Sequence, residues 1–222
     1  VFFWAKSPKG MIQITGRSIN MRDPKTGELK WQYQLESSRF NFSNTTGPNA
    51  QRSRVFIRAY DPRATIILDL DTGEPVLRRA GNKATNASWG FDHTGKRALA
   101  LNPVDPGLAQ VYNLETGEKQ HRTELPGRPR HHTGTLKSPF ADLVPIHVYN
   151  RNNGHRRQRL IFFSTRSGKV RDKLSLPFPD EVNEKHLDVH SVTIDGGVLL
   201  VQLSRKVWAF TSKPDPATKE SE

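Results

Sequence analysis

Four short blocks of this chain carry nearly the same residues at nearly the same interval. They are Asp23-Pro24-Lys25-Thr26-Gly27-Glu28, Asp69-Leu70-Asp71-Thr72-Gly73-Glu74, Asn113-Leu114-Glu115-Thr116-Gly117-Glu118 and Ser164-Thr165-Arg166-Ser167-Gly168-Lys169. Their glycines fall at 27, 73, 117 and 168, so the steps are 46, 44 and 51 residues. Such a repeat confines the chain to an array of like supersecondary units, because one unit cannot bury its apolar face alone. The block has a local physical reason. Asp or Asn starts a turn by bonding its own backbone, and Gly supplies the positive φ that closes it. Apolar runs flank the blocks: Ile19-Asn20-Met21 and Leu29 to Tyr33 around the first, Ile66-Ile67-Leu68 and Val76-Leu77 around the second. Val111-Tyr112 precedes the third, and Leu160 to Phe163 precedes the fourth, with Val170 and Leu174 after it. A turn set between apolar runs reads as a β-hairpin.

A second class of turn falls between these blocks. It includes Ser7-Pro8-Lys9-Gly10, Asp92-His93-Thr94-Gly95-Lys96 and Asp195-Gly196-Gly197, with less regular versions at 45–47 and 152–154. Each unit therefore reads strand, tight turn, strand, short link, strand, Thr-Gly turn, strand. Five units are visible, at about 1–23, 29–71, 75–113, 119–165 and 170–210, and the first lacks its opening strand. A period of about 40–50 residues built from strands predicts an all-β fold, a β-propeller of four-stranded antiparallel blades. Either the chain is part of a larger, seven-bladed propeller, or it is a five-unit propeller closed irregularly. A chain that starts at Val1 rather than methionine favours the first. Residues 213–222 are polar, contain two prolines and are expected to be a disordered tail beyond a propeller spanning 1–212.

The pattern resembles the WD40 and YVTN-type propeller repeats over about residues 1–212. Phe91-Asp92-His93-Thr94-Gly95-Lys96-Arg97-Ala98-Leu99-Ala100 is similar to the Phe-Ser-Pro-Asp-Gly-Lys stretch of those families. His186-Leu187-Asp188-Val189-His190-Ser191-Val192 is similar to their inter-blade histidine segment, while the Trp-Asp dipeptide is absent from every unit. The stretch from Asp23 to Trp31 also resembles the docking repeat of quinoprotein dehydrogenases, but no tryptophan recurs after Gly73, Gly117 or Gly168. The resemblance implies rigid loops offered to protein partners on two faces and a rim.

Net charge is +12, from 34 basic and 22 acidic residues, which favours acidic partners. Nine of the basic residues lie between Lys119 and Arg159, against Glu124 and Asp142 only, so seven of the twelve net charges sit there. His121, His131, His132, His147 and His155 are interleaved. The segments 126–132 and 151–159 read as exposed loops of one blade. Arg128, Arg130, His131, His132, Arg151, Arg156, Arg157 and Arg159 are the candidate binding residues, since the guanidinium fork fits carboxylate and phosphate alike. Single-stranded nucleic acid usually requires aromatic platforms as well. Only Phe140 and Tyr149 are near.

Other chemistries find little support. The chain has no cysteine, which excludes disulfides, thiolate metal sites and a cysteine nucleophile. There is no apolar run of membrane-spanning length. His186 and His190 are four apart, but in a loop entering a strand rather than on a helix, so no metal site is expected. No Gly-x-Ser-x-Gly elbow or phosphate-cradling glycine loop occurs. Asn41, Asn44 and Asn86 begin N-glycosylation triplets, which matter only in a eukaryotic secretory protein. Trp4, Trp31, Trp89 and Trp208 fit packing between blades. The expected function is a non-catalytic scaffold without cofactor or metal. It would bind one or more protein partners with acidic surfaces, as a subunit of a complex. A basic nucleic-acid-binding propeller is the alternative, and a quinoprotein- or lactonase-like enzyme is a more distant one.

Overall fold

Strands whose residues are apolar at both odd and even positions must be covered on both faces, and this chain supplies that cover by stacking sheets. The computed structural model describes residues 3–7, 10–43, 54–82, 86–92, 94–103, 106–129, 142–152, 155–175, 189–195, 198–203 and 206–211. They form five antiparallel sheets, in each of which the strands neighbour one another in chain order. The first contains β1 (Phe3–Ser7), β2 (Gly10–Thr15), β3 (Ser18–Arg22) and β4 (Leu29–Gln34). The second contains β5 (Phe40–Ser43), β6 (Arg54–Tyr60), β7 (Arg63–Asp69) and β8 (Pro75–Ala80). The third contains β9 (Ser88–Phe91), β10 (Arg97–Asn102), β11 (Leu108–Asn113) and β12 (Lys119–Glu124). The fourth contains β13 (Arg128–Pro129), β14 (Leu143–Asn152), β15 (His155–Ser164) and β16 (Lys169–Ser175). The fifth shows β17 (Val189–Asp195), β18 (Val198–Leu203) and β19 (Lys206–Thr211) among the described residues.

These sheets differ in phase from the repeat units. The strand after each Thr-Gly turn pairs with the strand before it, so units ending at Asp23, Asp71, Asn113 and Thr165 are cut inside a sheet. The first sheet has its opening strand, β1, and among the described residues the three-stranded sheet is the fifth. The reason is that the repeated block marks a hairpin within a sheet, while the links between sheets vary too much to repeat. The tail at 213–222 lies outside the described residues.

Alternation along the inner strands divides the core. Val55, Ile57 and Ala59 of β6, with Ala64, Ile66 and Leu68 of β7, pack on Ile12, Ile14, Ile19 and Met21 of the first sheet. Phe56 and Ile67, the residues between, join Leu77 against Ala98, Ala100, Tyr112 and Leu114 of the third sheet. Leu99, Leu101, Ala109 and Val111 then turn the other way, onto Val144, Ile146, Val148, Ile161 and Phe163 of the fourth. One residue of register slip would reverse every one of these contacts. The other face of the first sheet carries polar pairs between β2 and β3. Gln13 stands opposite Asn20 and Met11 opposite Arg22, and Arg22 Nε donates to Gln13 Oε1 at 2.8 Å.

The outer strands lock adjacent sheets at one point each. Trp31 of β4 lies over the second Thr-Gly turn, and its indole N–H donates to the Leu70 carbonyl at 2.9 Å. Gly73 there has φ 75°, and a Cβ on it would sit 2.5 Å from the indole. Leu77 takes the place of Trp31 in β8 and packs with Leu114, in the third turn. His121 takes it in β12: its ring covers Gly168, where a Cβ would lie 2.5 Å from His121 Cγ, and its Nε2 is 2.8 Å from the Arg166 carbonyl. A carbonyl only accepts, so Nε2 is the protonated nitrogen. The Thr123 hydroxyl also donates to the Gly168 carbonyl. The docking position of the first unit is thus repeated in space, with Trp, Leu and His in turn.

Glycine tolerates this positive φ and leaves room for the ring. Gly73→Ala should therefore lower stability by more than about 1 kcal/mol, whereas Trp31→Phe, which keeps a ring but loses one hydrogen bond, should cost about 1 kcal/mol. Urea denaturation midpoints decide it, and a Gly73→Ala protein as stable as the parent would contradict the lock.

Candidate functional site

The stack has two chemically different ends. One carries the Thr-Gly turns. The other carries the β2–β3 type of hairpin turn and the links that lead from each sheet to the next.

At the Thr-Gly end the repeated polar residues are occupied by the turns themselves. Asp23 Oδ1 accepts from the N–H of Lys25 at 2.8 Å and of Thr26 at 3.2 Å. Asp69 Oδ1 does the same for Asp71 at 2.7 Å and Thr72 at 3.4 Å, and Asn113 Oδ1 accepts from Glu115 at 2.7 Å. The Thr hydroxyl closes each of these turns by accepting from the N–H of Glu28, Glu74 or Glu118. The carboxyl of Asp23 is drawn below its usual range by the N–H groups of Lys25 and Thr26, and then by Lys30. Ion pairs also gather here: Lys30 with Asp23 at 3.2 Å, Arg54 with Asp69, Lys96 with Glu115 at 3.6 Å, and Arg97 with the buried Asp92 at 3.3 Å. The Asp92 carboxylate also accepts from the Thr94 hydroxyl at 2.9 Å, so the Asp-His-Thr-Gly-Lys stretch is a structural turn.

At the link end, successive backbone bonds fix the loops. Leu35 N–H donates to the Arg17 carbonyl at 2.7 Å, Tyr60 to Arg39 at 2.8 Å, Gly81 to Arg63 at 2.8 Å and Leu125 to Gly107 at 2.7 Å. The hydroxyl of Ser37, 1% exposed, donates to the Arg39 carbonyl at 2.7 Å and accepts from Asp61 N–H at 3.1 Å. A Cβ on Gly107 would meet the Gly127 carbonyl and the Pro129 ring, so this contact seats the short strand β13. The bonds hold Arg17, Arg39, Arg63 and Arg128 at one end of the stack with their side chains exposed. Among the described residues none of these four has a carboxylate partner. Among the described residues, the acidic side chains at this end are Glu36, Asp61 and Glu124. Glu36 is already held by Arg78 at 2.6 Å.

The candidate basic residues divide as follows. Arg128 begins β13, opposite Tyr149, and is exposed. Arg130, His131 and His132 lie outside the described residues. The segment 151–159 is not a loop. Arg151 stands opposite Arg156, Asn150 opposite Arg157 and Val148 opposite Arg159, in the ladder between β14 and β15. The strand was hidden in sequence because Asn, Arg and His outnumber β-formers there. His121, grouped with the basic segment by sequence, is instead the lock on Gly168. His147 is fully buried in β14. Trp89 packs on Phe56 and Tyr112 at ring distances of 6.0 and 5.5 Å, so it serves the core. His186 lies outside the described residues, and His190 is placed by its backbone in β17. The described residues contain no group of three or more His, Cys, Asp or Glu able to hold a metal ion. No helix among them is long and apolar enough to cross a membrane. Arg17, Arg39 and Arg63 were missed by sequence, since they stand far apart in the chain and only the stacking of links brings them to one end.

No family model matches the chain, and no curated protein sequence matches it. Among solved structures it is similar to a WD40 propeller chain of the mitotic checkpoint complex, with TM-score 0.53, 13% identity, and 95% of this chain and 61% of that chain covered. It is also similar to BamB from Moraxella catarrhalis, with TM-score 0.44, 17% identity, and 94% of this chain and 63% of that chain covered. This chain therefore spans less than two thirds of either neighbour's length. The first likeness, with the repeated four-stranded antiparallel sheets, shows a β-propeller fold, as the resemblance to WD40-type repeats implied.

The Glu36–Arg78 pair gives the link end a pH signature. The hydrogen bond from Arg78 lowers the Glu36 carboxyl below its ordinary value. A lowered folded value stabilises above the unfolded value of about 4.3, and this contribution fades as pH falls through the folded value. Glu36→Gln should therefore be slightly less stable than the parent at neutral pH and equal to it in strong acid. Denaturation midpoints across pH check this, and a gap that widens in acid would contradict it.

Proposed function

We propose that this propeller is a non-catalytic scaffold that docks a protein partner with an acidic surface on the arginine-bearing link end. The carrying observation is the asymmetry of the ends. At the Thr-Gly end Lys30, Arg54, Lys96 and Arg97 are each paired with a carboxylate, while Arg17, Arg39, Arg63 and Arg128 stand exposed without carboxylate partners among the described residues. Backbone bonds between loops keep that surface pre-organised, which reduces the ordering cost of binding. The WD40 neighbour is itself part of a multi-protein complex, which supports a protein partner here. A non-catalytic role fits the engagement of Asp23, Asp69, Asn113 and Asp92, whose side-chain oxygens already serve turns and ion pairs. Electrostatic docking of this kind speeds encounter and sets orientation.

Co-purification of the native protein, with and without nuclease and at low and high salt, tests the reading. A defined protein partner should survive nuclease. It should be lost, by about tenfold or more in recovered amount, when Arg17, Arg39, Arg63 and Arg128 are together changed to Glu. Recovery of nucleic acid alone, falling steeply with salt, would overturn the reading in favour of a nucleic-acid-binding propeller.

A further inference from the structure

The locks bring three cross-strand rows into correspondence. Two residues past Trp31, toward the link end, Tyr33 is in register with Ile19 and Ile14, and the row packs on the second sheet. Two residues past His121, Thr123 is in register with Ala109 and Leu101, which pack on the fourth sheet. Two residues past Leu77, Arg79 is in register with Thr65 and Arg58, on the side that meets the third sheet. Where the corresponding rows carry isoleucine, leucine and tyrosine, this one carries two arginines.

Placing charge at a core position costs stability unless the charge is compensated. Thr65 is fully buried. Both arginines are half-buried, each with an Nε that is buried and has no hydrogen-bond partner among the described residues. Their described contacts are neutral. Arg58 donates to the Ala87 carbonyl at 3.1 Å, and Arg79 Cζ lies 4.6 Å from the centre of the Tyr112 ring. Arg54 and Arg97, also half-buried, each hold a carboxylate, whereas among the described residues Arg58 and Arg79 hold none. Asp61 and Glu124 pair with neither of them, and the link from the second sheet to the third, residues 81–87, contains no Asp or Glu.

The row is therefore short of two negative charges. A carboxylate supplies one. A phosphate monoester carries nearly two at neutral pH and offers three acceptor oxygens, which suit two guanidinium forks. β6 and β8 flank β7, so their backbones are about 10 Å apart, a span that two arginine side chains can close on one group.

Building on the scaffold reading, we propose that Arg58 and Arg79 form a clamp, at the link-end edge of the interface between the second and third sheets, for a phosphate monoester on a side chain of the protein partner. The Phe56 ring lies 6.0 Å from Arg58 Cζ, as Tyr112 lies beside Arg79. Rings at this range attract a guanidinium and limit its freedom, which lowers the ordering cost of binding.

The test uses the full chain and three peptides of one neutral sequence, with phosphoserine, serine or glutamate at the centre, and reads affinity by anisotropy. The phosphoserine peptide should bind about tenfold or more tighter than either of the others. Arg58→Met with Arg79→Met should lose that preference and be no less stable than the parent, because the corresponding rows are apolar. Arg58→Lys with Arg79→Lys should keep part of the preference, since charge remains and the fork is lost. Equal binding of the three peptides by the parent would overturn the proposal, whatever the variants do. So would binding of inorganic phosphate as tight as that of the phosphopeptide, or tighter binding of a DNA oligonucleotide. Asp105 lies outside the described residues. If Asp105→Asn destabilised the protein and the paired methionines removed that effect, the counter-charge would be internal and the proposal would fall. The native partner separates this failure from that of the scaffold reading. If its capture survives phosphatase treatment but is lost on changing Arg17, Arg39, Arg63 and Arg128 to Glu, the basic end stands and the clamp falls.

Discussion

The contact between an outer-strand side chain and a glycine turn of the next sheet is what makes a stack out of separate sheets. Apolar burial between sheets supplies most of the energy but is non-directional. The locks supply register. Trp31 on Gly73 combines ring contact with a directed hydrogen bond to Leu70, and His121 on Gly168 does the same through Arg166. Neither could form if the turn residue carried a Cβ. The glycine thus closes its own hairpin through positive φ and receives its neighbour.

That double use explains what could be read from sequence. The Asp-x-x-Thr-Gly block announces itself because each of its residues has a backbone task, and those tasks admit few alternatives. The β-propeller followed from its spacing. The lock was partly hidden, because a docking side chain needs only a shape and one donor at the right place. Trp31 and His121 meet that need with different residues, so a search for repeated tryptophan passed over the second. Phase was hidden for a related reason: hairpin turns repeat, whereas links such as 35–39 and 125–127 share no residue pattern.

The basic surface was legible as charge and illegible as structure. Arginines at 151, 156 and 157 suggested a loop, since that stretch is poor in β-formers, and the ladder places them on a ribbon. Pairing with a well-made partner strand overrode local propensity: Val144, Ile146 and Val148 of β14 face the core, with Ile161 and Phe163 of β15 beside them. Arg17, Arg39 and Arg63 join this end only because each sheet returns the chain to it. Segregation of charge therefore follows from topology. Among the described residues, the turns bearing Asp, Thr and Glu fall at one end, and Arg17, Arg39, Arg63 and Arg128 at the other.

The central claim is that the link end, and not the Thr-Gly end, is the partner-facing surface. Hydroxyl-radical footprinting of the native complex against the free chain measures this directly. The account predicts protection of side chains at 15–18, 35–39, 60–63 and 125–129 on complex formation, with the turns at 23–28, 69–74 and 113–118 unchanged. Protection confined to those turns, with the arginine end as reactive as in the free chain, would contradict it.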